Sequence, residues 1–228
     1  MFLDFDGSLS EIVDRPDLAE PAAGAADVLA ALRSRFREVA IISGRPANEL
    51  ASRLGVDGLT YEGLYGMEEA ATDLTVSVLP AVERAAASVP EARLEDKRVS
   101  VAVHYRGVRD PAAARRTLLT SLEPVASDAG LVLVEGKMVV ELVPADRPLK
   151  GGAVERLARS RELQAVLYAG DDVADLDAFS ALDRLDRRGV HGVRVAVRGQ
   201  ETPQELLRAA DLEVEGPAGL VALLRTLA

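Results

Sequence analysis

Short apolar runs that stop at polar residues alternate with helix-spaced stretches at both ends of this 228-residue chain, and the alternation lapses in its middle. Residues 1–5 and 39–43 are two such runs, and residues 24–36 between them carry Val28, Leu29 and Leu32 on one helical face. The pattern resumes after Lys150. A helix is expected near 152–161, a strand over 165–169, a helix over 176–182, an apolar run over 193–197 and a closing helix over 216–227. Such alternation argues for an α/β fold, a doubly wound and mostly parallel sheet with helices on both faces.

Residues 75–146 read differently. Helices are expected over 79–89 and 111–125, and a half-exposed strand over 98–104 that 93–95 would pair. Residues 131–134 and 138–143 form a hairpin around Glu135, Gly136 and Lys137. Two strand pairs with two helices make a small α+β insert, which splits the core into 1–74 and 147–228.

Charge narrows the partners. The net charge of −10, with no basic stripe, disfavours nucleic acid and anionic membranes. An anionic small substrate would then need local help from a divalent cation and buried lysines. Of 27 cationic side chains only Lys97, Lys137 and Lys150 are lysine, and lysine is the compact point charge of the two types. No apolar run approaches the roughly 18 residues of a membrane span, and no basic leader opens the chain, so a cytoplasmic location is expected. The absence of cysteine excludes disulfides, thiolate metal sites and thiol nucleophiles.

The chemistry-bearing residues gather where strands end. Asp4 and Asp6 lie two apart as the first run stops, so they face one side, in the crevice where parallel sheets bind ligands. Two such acids can hold a divalent cation, with one as nucleophile and the other as acid and base. Ser43-Gly44-Arg45 ends the second run before a helix opened by Pro46, a cradle for phosphate oxygens. Lys150-Gly151-Gly152 opens a helix with a cation beside exposed amides, and Gly170-Asp171-Asp172-Val173-Ala174-Asp175 adds three carboxylates after a buried strand. So many acids in one crevice repel each other unless a cation is bound. Taken singly, these motifs also fit a solvated turn, a helix cap and a surface lysine.

In this order the four motifs resemble those of the haloacid dehalogenase superfamily of phosphohydrolases, whose core is a Rossmann-like sheet. The resemblance implies that Asp4 attacks phosphorus to form an aspartyl phosphate, while Asp6 protonates the leaving oxygen and then deprotonates water. It implies Mg2+ bound by Asp4, the Asp6 backbone carbonyl and Asp171. Ser43, Gly44 and Lys150 would bind the phosphoryl group, and Asp172 and Asp175 would support the metal shell and Lys150.

The insert falls where this superfamily places the cap of its sugar phosphatases. The strings Asp4 to Val13, Val103-His104-Tyr105-Arg106, Gly136 to Leu142 and Gly170 to Phe179 are most similar to the trehalose-6-phosphate phosphatase family. That resemblance implies a sugar phosphate as the small-molecule partner, and a monomer is expected. Phosphatases of sucrose, mannosylglycerate or hexose phosphates, and a non-catalytic sensor, are the alternatives. Lys137 and Glu141, four apart on one expected strand, would share a face and grip sugar hydroxyls. Glu135, His104, Arg106 and Arg45 are further candidate substrate contacts, while His191 reads as structural. The chain departs from the family pattern at Ser8, Tyr65, Val143, Ala174 and Leu176. Tyr65 stands where histidine is usual, in the string Gly63-Leu64-Tyr65-Gly66-Met67-Glu68.

Overall fold

The computed structural model describes residues 1–13, 15–66 and 76–228. These divide into two compact units, Met1–Gly66 with Pro148–Ala228, and Met67–Arg147. The expected start of the insert at 75 and the end of the Tyr65 string, Met67 and Glu68, lie outside the described residues.

The first unit holds six parallel strands in the order β10-β9-β8-β1-β2-β3. These are β1 (Phe2–Leu3), β2 (Ala40–Ile42), β3 (Thr60–Glu62), β8 (Ala165–Gly170), β9 (His191–Arg198) and β10 (Leu212–Glu215). Helices α1 (Ala25–Arg35), α2 (Ala47–Leu54), α5 (Lys150–Ser160), α6 (Val173–Asp186), α7 (Gln204–Ala209) and α8 (Gly216–Leu227) connect and cover them. Alternate residues of β1 enter different cores. Leu3 packs with Leu29, Leu32 and Leu220 from α1 and α8, whereas Phe2 packs with Val154 and Phe179 from α5 and α6. Burial on both faces is what makes the central strands β1 and β2 uniformly apolar. β3, α7 and β10 were not legible as elements, because they are short and β3 and β10 are charged and partly exposed.

The second unit is an antiparallel sheet in the order β4-β5-β7-β6. Its strands are β4 (Arg93–Asp96), β5 (Val101–His104), β6 (Leu131–Gly136) and β7 (Val139–Pro144), and its helices are α3 (Leu79–Ala87) and α4 (Pro111–Ala129). Val101, Val103, Val140 and Leu142 point to the helices and meet Val82, Leu118 and Leu122. The hairpin is tighter than the sequence suggested. Gly136 pairs with Val139, so only Lys137 and Met138 turn, with Met138 in the left-handed region at φ 59°.

Candidate active site

β1 lies between β2 and β8, so the residues following it emerge at the middle of the sheet. The Asp4 amide donates to Ala169 at 2.9 Å, and the chain then closes a tight loop in which the amides of Ser8, Leu9 and Ser10 all reach the Phe5 carbonyl. Gly7 sits at φ 85°, where a Cβ would stand 2.1 Å from Asp171 Oδ2. Only glycine fits both demands.

Asp4, Asp171 and Asp175 are all buried, and an oxygen from each lies within 4.8 Å of the others. Lys150, also buried and the first residue of α5, donates to Asp4 Oδ1 at 2.8 Å and to Asp175 Oδ1 at 2.6 Å. Burial raises the Asp4 carboxyl well above its ordinary range; Lys150 opposes this, and Asp175 and Asp171 add to it. Burial acts to lower the Lys150 ammonium, but the charges of Asp175 and Asp4 outweigh it and hold the group cationic. Three carboxylates against one ammonium leave surplus negative charge in a buried cluster.

Asp175 is saturated. Its Oδ1 accepts from Lys150 and from the Tyr168 hydroxyl at 2.7 Å, and its Oδ2 accepts from the amides of Asp171 and Asp172, both at 2.8 Å. A carboxylate has about four lone-pair sites, so a cation in this cluster would draw its oxygens from Asp4 and Asp171. Ser8 donates to Asp171 Oδ1 at 3.1 Å. An all-oxygen donor set with surplus negative charge fits Mg2+.

Ser43, 1% exposed, directly follows β2, and its Oγ accepts the Arg45 amide at 3.2 Å. Above it the chain makes an unusual turn, with Leu64, Tyr65 and Gly66 all left-handed at φ 49°, 56° and 89°. The amides of Leu64 and Tyr65 hold the Arg45 and Ser43 carbonyls, and a Cβ on Gly44 would lie 2.8 Å from the Tyr65 hydroxyl.

Several expectations need correction. The Gly151 amide is not exposed for a ligand, because Asp177 Oδ2 accepts it at 2.7 Å, and the Gly152 amide bonds Leu149. Asp172 caps α6 and makes no part of the Lys150 pairing. Arg45 pairs with Asp6 and Glu49. In the second unit Lys137 lies in the hairpin turn and not on a strand with Glu141. Glu135 is opposite Val140, on the helix side, where Arg115 of α4 takes both its oxygens. Strand alternation therefore puts Glu135 and Glu141 on opposite faces.

His104 and Glu141 do share a face. His104 Nε2 lies 2.8 Å from Glu95, Glu141 accepts from Ser100 at 2.5 Å and from Lys97 at 3.2 Å, and Arg106 reaches the Lys137 carbonyl at 3.4 Å. His191 is exposed, 3.8 Å from Asp186.

Tyr168, Ser8, Asp177 and Lys97 were missed as site or support residues. Tyr168 had a usable signal, since a phenol inside a fully buried strand must find an acceptor.

The trehalose-phosphatase family model matches residues 2–212. A trehalose-phosphate phosphatase of Mycobacterium ulcerans is 36% identical over 96% of this chain and 58% of its own length, so the chain spans under two thirds of that relative. Among solved structures, the C-terminal domain of C. albicans trehalose-6-phosphate phosphatase superposes with a TM-score of 0.82 at 23% identity, over 100% of this chain and 92% of that one. A haloacid dehalogenase-like hydrolase from Bacteroides thetaiotaomicron gives 0.69 at 15%, covering 100% and 98%. At those identities the structures speak for the fold alone, a haloacid dehalogenase-like one. The family match runs through Asp4, Ser43, Lys150 and Asp171 alike, and this chain belongs to the trehalose-phosphatase family.

Proposed function

We infer that the chain hydrolyses trehalose 6-phosphate to trehalose and phosphate, with Asp4 as nucleophile. The observation that carries this reading is the buried Asp4 at the end of the central strand, held by Lys150 at 2.8 Å within an acidic cluster. A carboxylate oxygen of Asp4 attacks phosphorus as the bond to the sugar oxygen breaks, and that oxygen leaves with the electron pair and a proton from Asp6. Water then attacks the aspartyl phosphate and gives its proton to Asp6, and cleavage of the phosphorus bond to Asp4 restores the carboxylate. Lys150 and the Ser43 hydroxyl hold the charge that spreads over the phosphoryl oxygens.

Asp4, Asp171 and the Asp6 carbonyl would hold Mg2+. When bound, it supplies positive charge to the phosphoryl oxygens and offsets the acidic surplus. Asp175 and Tyr168 keep Lys150 aimed.

The second unit is read as the cap of 75–146, with His104 and Glu141 on its polar face as sugar contacts and Lys137 and Arg106 at its hairpin end. A cytoplasmic monomer suits this reading. Among the described residues no helix is long and apolar enough to cross a membrane, and the exposed large apolar side chains, such as Leu18, Val132, Val173 and Leu212, sit on separate elements.

The deciding experiment is phosphate release from trehalose 6-phosphate beside sucrose, mannosylglycerate and hexose phosphates, with and without Mg2+, using the wild type and Asp4→Asn. Activity is expected on trehalose 6-phosphate above the others, only with metal, and lost in the variant. Equal rates across the panel would reject the substrate, and turnover by Asp4→Asn would reject the mechanism.

A further inference from the structure

Both carboxylate oxygens of Asp6 are taken by one side chain: Arg45 Nε donates to Oδ2 and Nη2 to Oδ1, each at 2.7 Å. The Asp6 side chain is 37% exposed, whereas that of Arg45 is 10% exposed. Packing alone therefore holds the arginine but not the acid. Arg45 also lies over the Phe5 ring, 5.6 Å from its centroid, and its Nη1 reaches Glu49 Oε1 on α2 at 2.5 Å. Glu49 accepts a second donor, Arg53 Nε, at 2.8 Å, and Arg53 is tied to the carbonyls of Pro16, Asp17 and Ala19.

A guanidinium fork matched to a carboxylate fixes the plane of that carboxylate as well as its place. An exposed ion pair of this kind would be worth little. Here the fork is buried, braced from α2, and directed at Asp6, a partly open acid two residues on from Asp4. When one Asp6 oxygen handles a proton, the other can stay on Arg45, so the orientation survives both half-reactions.

We propose that Arg45, braced by Glu49, is a positioning residue that aims Asp6 at the leaving oxygen and does not itself bind the sugar phosphate. This rests on the acid and base role given to Asp6 above. Of the two steps that use Asp6, only the departure of the leaving group distinguishes substrates, and kcat/KM reads that step. A sugar alkoxide needs a proton in order to depart, whereas the phenolate of p-nitrophenyl phosphate departs without one. A merely structural role would slow both substrates alike.

The test compares kcat/KM on trehalose 6-phosphate and p-nitrophenyl phosphate for the wild type, Arg45→Lys, Glu49→Gln, Asp6→Asn and the Arg45→Lys/Asp6→Asn double variant. The ratio of the sugar to the aryl substrate is expected to fall about 10-fold or more in Arg45→Lys and about 3-fold in Glu49→Gln, mainly through kcat. Arg45→Lys should add nothing to the fall already caused by Asp6→Asn. Glu49→Gln keeps the guanidinium and so guards against a folding loss in Arg45→Lys. An unchanged ratio in both single variants, or a loss carried by KM, overturns the positioning role alone. If Asp6→Asn leaves the ratio unchanged, the acid and base reading falls and takes this proposal with it.

Discussion

Asp175 organises the candidate site by joining Lys150, Tyr168 and two backbone amides on one carboxylate. Tyr168→Phe keeps the ring and its edge contact with Phe179 at 6.2 Å but removes one of these bonds. Chemical unfolding should show a loss of about 1–2 kcal/mol. Lys150, drawn closer to Asp175, should bind the phosphoryl group less well, and KM should rise. Two glycines give a paired prediction. Gly7→Ala forces a left-handed residue and drives a methyl into Asp171, so Mg2+ affinity measured by calorimetry should fall about 10–100-fold. Gly44→Ala meets only the tip of the Tyr65 side chain, which can swing aside, and should change KM about 3-fold or less. The acids and Lys150 were legible in the sequence because strand ends in parallel sheets collect them. The roles of Tyr168 and Arg45 were not, because each depends on a partner distant in sequence or on a side-chain orientation that spacing does not encode.

At the level of elements, α5 and α6 are stitched by Glu155, which accepts from Arg159 on its own helix and from Arg184 of α6, with Arg188 just past α6 at 3.5 Å. The hydrogen bond from Arg184 is the chief reason its carboxyl lies below the ordinary 4.5. A carboxyl lowered in the folded state stabilises above its unfolded value, and that stability is lost as pH falls through the folded one. Glu155→Gln should therefore unfold at lower urea than the wild type at pH 7, by about 0.5–1 kcal/mol, with the gap closing toward pH 3. Equal gaps at both pH values would argue against this pairing. The long elements were readable from their apolar period, and α8 matches its expected span of 216–227. The hairpin was readable too, as 131–134 with 138–143, but its turn was not, since Gly136 looked like the turn while the left-handed position fell on Met138.

Across the whole molecule, every strand of the antiparallel sheet finds its partners within one continuous stretch, and so do the two helices that cover it. A fragment spanning residues 76–147 should therefore fold alone, with mixed helix and strand circular dichroism and a cooperative melt. A fragment without a melting transition would mean that the unit needs the rest of the chain. The parallel sheet has the opposite character. Its central strand β1 is made first, but one of its two neighbours, β8, lies some 160 residues later, beyond the whole intervening unit. At ordinary translation speeds the ribosome takes on the order of ten seconds to deliver that neighbour. During this interval Asp4 and Ser43 exist without Lys150 and Asp171, so a nascent chain stalled before residue 150 carries the proposed nucleophile but no ammonium beside it. Catalytic competence would thus arrive late and abruptly in the life of each molecule, after the inserted unit has had time to fold.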